Sequence, residues 1–206
     1  MKNLKYFLEF LVISIFFIIC KILGYKAASN LGYFIGKNIG PKFRSKEIII
    51  ENLKNLDPSV NEDKINEISK KMWGNYGRIL AEYPFIPSFR KRKLEKYIKI
   101  DGLENLKKIK INREPTVFIS GHFNNFELMA MYLEKIGIKL CAIYRPLNNI
   151  FLNKIMETIR KKYICKYQIK KGIGGLKDLM VLNKKKFSTA LMIDQRVSEG
   201  VLSGLF

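Results

Sequence analysis

Apolar positions along the chain change period about midway. Residues 45–56 (SKEIIIENLKNL) and 62–82 (EDKINEISKKMWGNYGRILAE) carry apolar residues at helical spacing, the second at Ile65, Ile68, Met72, Tyr76 and Leu80. DPS at 57–59 separates these predicted helices, and YPFIPSF at 83–89 breaks the pattern with two prolines. The front third therefore reads as helical. Ahead of it, residues 6–24 (YFLEFLVISIFFIICKILG) hold an apolar stretch from Phe10 to Cys20, bracketed by Glu9 and Lys21. A clean spanning helix needs about 20 apolar residues. KILGYKAASN offers a poor cleavage site for a signal peptide. Three readings stand: a short membrane anchor with snorkelling flanks, an interfacial helix, or a buried core helix. A membrane-bound helix of one of the first two kinds is the expectation. The basic GPKFRSK downstream suits a body on the cytoplasmic face.

From about residue 115 the rhythm alternates. PTVFIS (115–120), IKLCAIY (138–144) and FSTALMID (187–194) read as strands. NFELMAMYLEKIG (125–137), NIFLNKIMETIRKKY (149–163) and GGLKDLMVLNKK (174–185) read as helices. Strands alternating with helices predict an α/β domain with a mostly parallel sheet flanked by helices. The expected organisation is a membrane helix over 1–24, a helical region over 25–88 and an α/β domain over 89–206. No internal repeat or low-complexity tract interrupts it.

Composition narrows the partners. The 206 residues are 48% hydrophobic, enough for a substantial core, with a formal net charge of +20. Such a surplus points to nucleic acid, an anionic membrane face or acidic partners, and says nothing about fold. The basic clusters at 90–93, 107–110, 160–171 and 184–186 are separate. Aromatics fall mostly at the apolar periodic positions and are not interleaved with the basic residues, so nucleic acid is not expected. Three cysteines without a CxxC signal neither a disulfide framework nor a zinc site, and a single histidine makes most zinc sites improbable.

That histidine is His122, in FISGHFNNFELMA, directly after a predicted strand and Gly121. Ligands bind at the carboxyl ends of strands in open α/β sheets. Glu127 follows five residues later. With His122 on the loop and Glu127 in the first helical turn, the carboxylate can fold back onto the imidazole. Imidazole titrates near neutrality and can take a proton from a hydroxyl, while a carboxylate on its other nitrogen fixes the tautomer. In this reading the hydroxyl to be activated belongs to a substrate, without an acyl-enzyme. Asn124 and Glu127 also fit a capping box, which is the structural alternative.

The surrounding blocks decide in favour of chemistry. SGHFNNFELMA resembles the GHFGNWE block of the late lauroyl/myristoyl acyltransferases of lipid A biosynthesis. FRSKEIIIENLKNLDPS, MWGNYGRILAEY, IYRPLNN and LMIDQR resemble further blocks of that family, in the same order. The resemblance implies a glycerolphosphate-acyltransferase-like fold and an HX4(D/E) pair at His122 and Glu127. It also implies functional arginine and aspartate positions that map onto Arg160 and Asp194, with Arg145 a further substrate-binding candidate. The implied reaction moves an acyl chain from acyl carrier protein to a hydroxyl of a lipid A precursor at the inner membrane, with no cofactor and no metal. Arg145 and Arg160 would stabilise an oxyanion or bind phosphate, or else be solvated surface residues. Asp194 would orient an arginine or cap a turn. Asn124 stands where the family has glycine, and Phe126 where it has tryptophan. By the same resemblance, the family continues past GVLSGLF with further strands and helices. An acyltransferase acting on another glycolipid or a lysophospholipid is the neighbouring reading. A non-enzymatic basic module for RNA or membrane is the distant one.

Overall fold

The computed structural model describes residues 2–43, 46–112 and 114–194. In chain order the helices and strands are α1 (Lys2–Leu23), α2 (Tyr25–Ile39), α3 (Lys46–Leu56), α4 (Glu62–Glu82), α5 (Ile86–Arg90), α6 (Leu103–Asn112), β1 (Val117–Ser120), α7 (Glu127–Lys135), β2 (Leu140–Tyr144), α8 (Ile150–Ile159), β3 (Tyr167–Lys170), α9 (Ile173–Lys184) and β4 (Ser188–Met192). They form two compact units. One comprises Met1–Lys99 with Leu147–Ile164, the other Ile100–Pro146 with Cys165–Phe206.

The first unit is helical. Asn61 starts α4 by accepting the Lys64 amide, and Glu62 and Asp63 place negative charge at the helix N-terminus. Helix α4 lies against α2 through small residues. At Gly32 and Gly77 a methyl group on either would run into the other's carbonyl oxygen, so the two backbones approach as closely as they do only because both positions are glycine. A buried polar contact ties the same pair: Ser29 donates to Glu82 at 2.7 Å. Burial and the neighbouring Glu82 carboxylate, to which it is also hydrogen-bonded, push the Tyr25 phenol up to about 12. YPFIPSF ends α4 as expected, but its side chains turn inward. Phe85, Ile86 and Phe89 are core residues. Helix α8 begins at Asn149, whose side-chain oxygen accepts the amides of Phe151 and Leu152. Its amide group donates to the Tyr6 carbonyl and to Glu9, both at 2.9 Å, which fastens α1 to α8.

The second unit holds the sheet. Its order is β1-β4-β2-β3, and every pairing is parallel. Helix α7 packs on β2, and α9 packs on β2 and β3. Met131, Leu133, Leu140, Cys141, Ile169 and Ala190 fill the space between the layers. The α/β expectation holds, with the predicted helices and strands falling within a few residues of their places. Strand β3 was not foreseen. It lies in the span read as a basic cluster, a four-residue strand in which only Ile169 is buried, so no apolar alternation marks it.

Candidate active site

Parallel register builds the site. Strand β1 runs beside β4 with Ser120 opposite Met192, and the Ile193 amide continues the ladder onto the Ser120 carbonyl at 3.1 Å. Two residues beyond Ser120 is His122, and two beyond Met192 is Asp194. The register therefore delivers an imidazole and a carboxylate side by side at the carboxyl ends of neighbouring strands, although 72 positions separate them in sequence.

The contact is double. Asp194 Oδ1 lies 2.7 Å from His122 Nδ1, and Asp194 Oδ2 accepts the His122 backbone amide at 2.6 Å. Burial alone would raise the Asp194 carboxyl. The amide bond, the imidazole bond and the charge of the imidazolium outweigh it, so the carboxyl sits below its ordinary value. An ionised carboxylate only accepts, so Nδ1 carries the proton and Nε2 is the basic nitrogen. Phe126 meets the imidazole edge to face, with centroids 4.7 Å apart, and restrains the ring plane.

Gly121 matters here for a reason other than a tight turn. A side chain at that position would press on the Phe123 ring and lie 3.1 Å from Asp194 Oδ2. Asn124 has φ 45°, in the left-handed region that glycine occupies freely and asparagine tolerates better than most residues. Asparagine at 124 is thus compatible with this backbone path. Helix α7 begins at Glu127, and Phe126, at the cap position, makes no side-chain cap bond. Glu127 is buried in the first turn of α7, where the helix dipole favours a carboxylate.

Arg145 directly follows β2 and is exposed, at the same carboxyl edge of the sheet as His122 and Asp194. Arg160 belongs to the first unit. It is half-buried and opens a π-helical turn, Arg160–Ile164, that packs against α5. The Gln195 and Arg196 of LMIDQR, Arg44 and Ser45 of GPKFRSK, and GVLSGLF lie outside the described residues. The pairing of His122 with Asp194 was not visible in the sequence. The one signal was that both residues follow predicted strands.

A family model for bacterial lipid A biosynthesis acyltransferases matches residues 1–206. The chain belongs to that family. It is an acyltransferase of lipid A synthesis, a membrane-associated process, and the family implies a lipid A precursor as acceptor. A non-enzymatic basic module is thereby set aside. No curated protein matches the chain.

Proposed function

We propose that this acyltransferase moves a fatty acyl chain from the thioester of acyl carrier protein to a hydroxyl of a lipid A precursor, with His122 as general base and no acyl-enzyme. One observation carries the reading: the 2.7 Å bond between His122 Nδ1 and Asp194, which presents Nε2 as the proton acceptor. In the reaction Nε2 takes the hydroxyl proton as the oxygen attacks the thioester carbonyl. The tetrahedral intermediate then collapses, the C–S bond breaks, and the imidazolium returns its proton to the departing thiolate. Asp194 stabilises the imidazolium while it lasts. Arg145 is the candidate for the oxyanion or for a phosphate of either substrate. Phe123 and Ile193, exposed next to the pair, offer the acyl chain an apolar surface. Acyl carrier protein is acidic and lipid A precursors carry phosphates, so the net charge of +20 favours both encounters. The protein works at the cytoplasmic face of the inner membrane in this reading. It needs no cofactor beyond its acyl donor.

Glu127 is the partner that the HX4(D/E) resemblance implies for His122. Asp194 holds Nδ1, so in this mechanism Asp194 orients the base and Glu127 supports the loop from the start of α7. Transfer of labelled acyl groups from acyl carrier protein to a tetraacyl lipid A precursor tests the proposal. His122→Ala should lower the rate by about 10²–10⁴-fold. Transfer at the unsubstituted rate by His122→Ala would remove the histidine from the chemistry.

A further inference from the structure

Helix α1 is 22 residues long and contains an 18-residue window of mean hydropathy 2.3, long and apolar enough to cross a membrane by length and composition. Its two sides do different things. Leu4, Leu8, Val12, Ile15, Ile18 and Ile22 recur every three or four residues and form one broad exposed stripe. The opposite side is seated on the first unit. The Tyr6 carbonyl and Glu9 take the Asn149 amide group, Phe10 packs against Phe151, Phe17 stacks on Tyr83, and Cys20 is fully buried. The Lys21 ammonium lies 4.8 Å over the Phe85 ring. This seat extends from Tyr6 to Lys21, roughly 22 Å of helix at 1.5 Å per residue.

A helix seated along that length cannot cross hydrocarbon alone. Helix α8, fastened beside it, carries Lys154 and Glu157, and the neighbouring α4 ends in Glu82. Spanning would carry these charges to membrane depth or strip α1 from its seat, including the buried Asn149 contacts. Lying in the membrane plane costs neither. The exposed stripe enters the acyl region by about 5–10 Å, while the seated side stays on protein. Charge fits the same placement. Lys2, Lys5 and Lys21 are on the helix, and Lys26 opens α2. Of these, Lys5 flanks the stripe, 74% exposed, and can reach an anionic headgroup there, and the exposed Lys2 marks the helix start.

We infer that α1 docks this protein onto the surface of an anionic bilayer as an in-plane helix inserted from one leaflet, and does not span. The inference rests on the membrane location proposed above and refines it. The test is sidedness of cysteine labelling in the full-length chain. Lys2→Cys reports the start of α1 and Lys54→Cys reports the exposed face of α3. The buried native cysteines provide the background. A membrane-impermeant maleimide is applied to intact spheroplasts and to inverted inner-membrane vesicles. The in-plane helix requires both reporters to be labelled in one preparation and protected in the other, with at least tenfold contrast. Labelling of Lys2→Cys and Lys54→Cys from opposite sides overturns it. Recovery of the protein in the soluble fraction overturns the membrane location itself, a failure distinct from the topology. Ile15→Glu adds a second readout. It should lower co-sedimentation with vesicles containing phosphatidylglycerol at least tenfold, and unchanged co-sedimentation contradicts the lipid-facing stripe.

Discussion

At the scale of single residues, the site joins what the sequence makes plain to what it conceals. His122 stands out as the only histidine, directly after a strand, and a carboxylate partner is its obvious chemical need. Local spacing nominates Glu127. The structure puts Asp194 on Nδ1, from 72 positions away, because β1 and β4 are neighbours in parallel register. No local pattern encodes that adjacency. The depressed Asp194 pKa has a definite sign. Its bonds to His122 contribute stability fully above the ordinary carboxyl value, 3.8, and that contribution is lost as pH falls through the lower folded value. Asn124 is the second instructive residue. Its left-handed φ makes a simple demand, so Asn124→Gly should stay within about 0.5 kcal/mol of the parent, whereas Asn124→Val should cost roughly 1–2 kcal/mol. Thermal unfolding separates these. Equal stability of the glycine and valine variants contradicts a left-handed backbone at 124.

At the scale of elements, period carried most of the information. Helices α3 and α4 and strands β1, β2 and β4 are legible because their apolar positions repeat at 3.6 or cluster as buried β-rich runs. Strand β3 is not, since three of the six residues Cys165–Lys170 are charged or amide-bearing and only Ile169 is buried in the strand itself. The close contact of α2 with α4 is also hidden. It depends on Gly32 and Gly77 facing each other, which a glycine count does not reveal. Gly77→Ala should force the helices apart and cost about 1–3 kcal/mol, as overpacking does. For a chain of this size the melting temperature falls by about 2–4 °C per kcal/mol. An unchanged melting temperature contradicts the backbone contact.

At the scale of the whole molecule, three properties converge on one role. The sheet brings His122, Asp194 and Arg145 to a single edge, the chain carries a large positive charge, and α1 offers an exposed apolar stripe. Fold class and family were readable from the order of the blocks, because each block retains its local chemistry. The strand order β1-β4-β2-β3 was not, because it is set by crossovers and packing. That order is what brings the Asp194 carboxylate onto His122 Nδ1. The most direct measurement compares acyl transfer from acyl carrier protein to a lipid A precursor by Asp194→Asn and Glu127→Gln, each across pH. The amide at 194 can donate to Nδ1 and so favours the wrong imidazole tautomer. Asp194→Asn should therefore lower kcat by roughly 10²–10⁴-fold with KM little changed, and Glu127→Gln should cost less. A full rate in Asp194→Asn together with a collapse in Glu127→Gln would contradict the His122–Asp194 pairing as the working base.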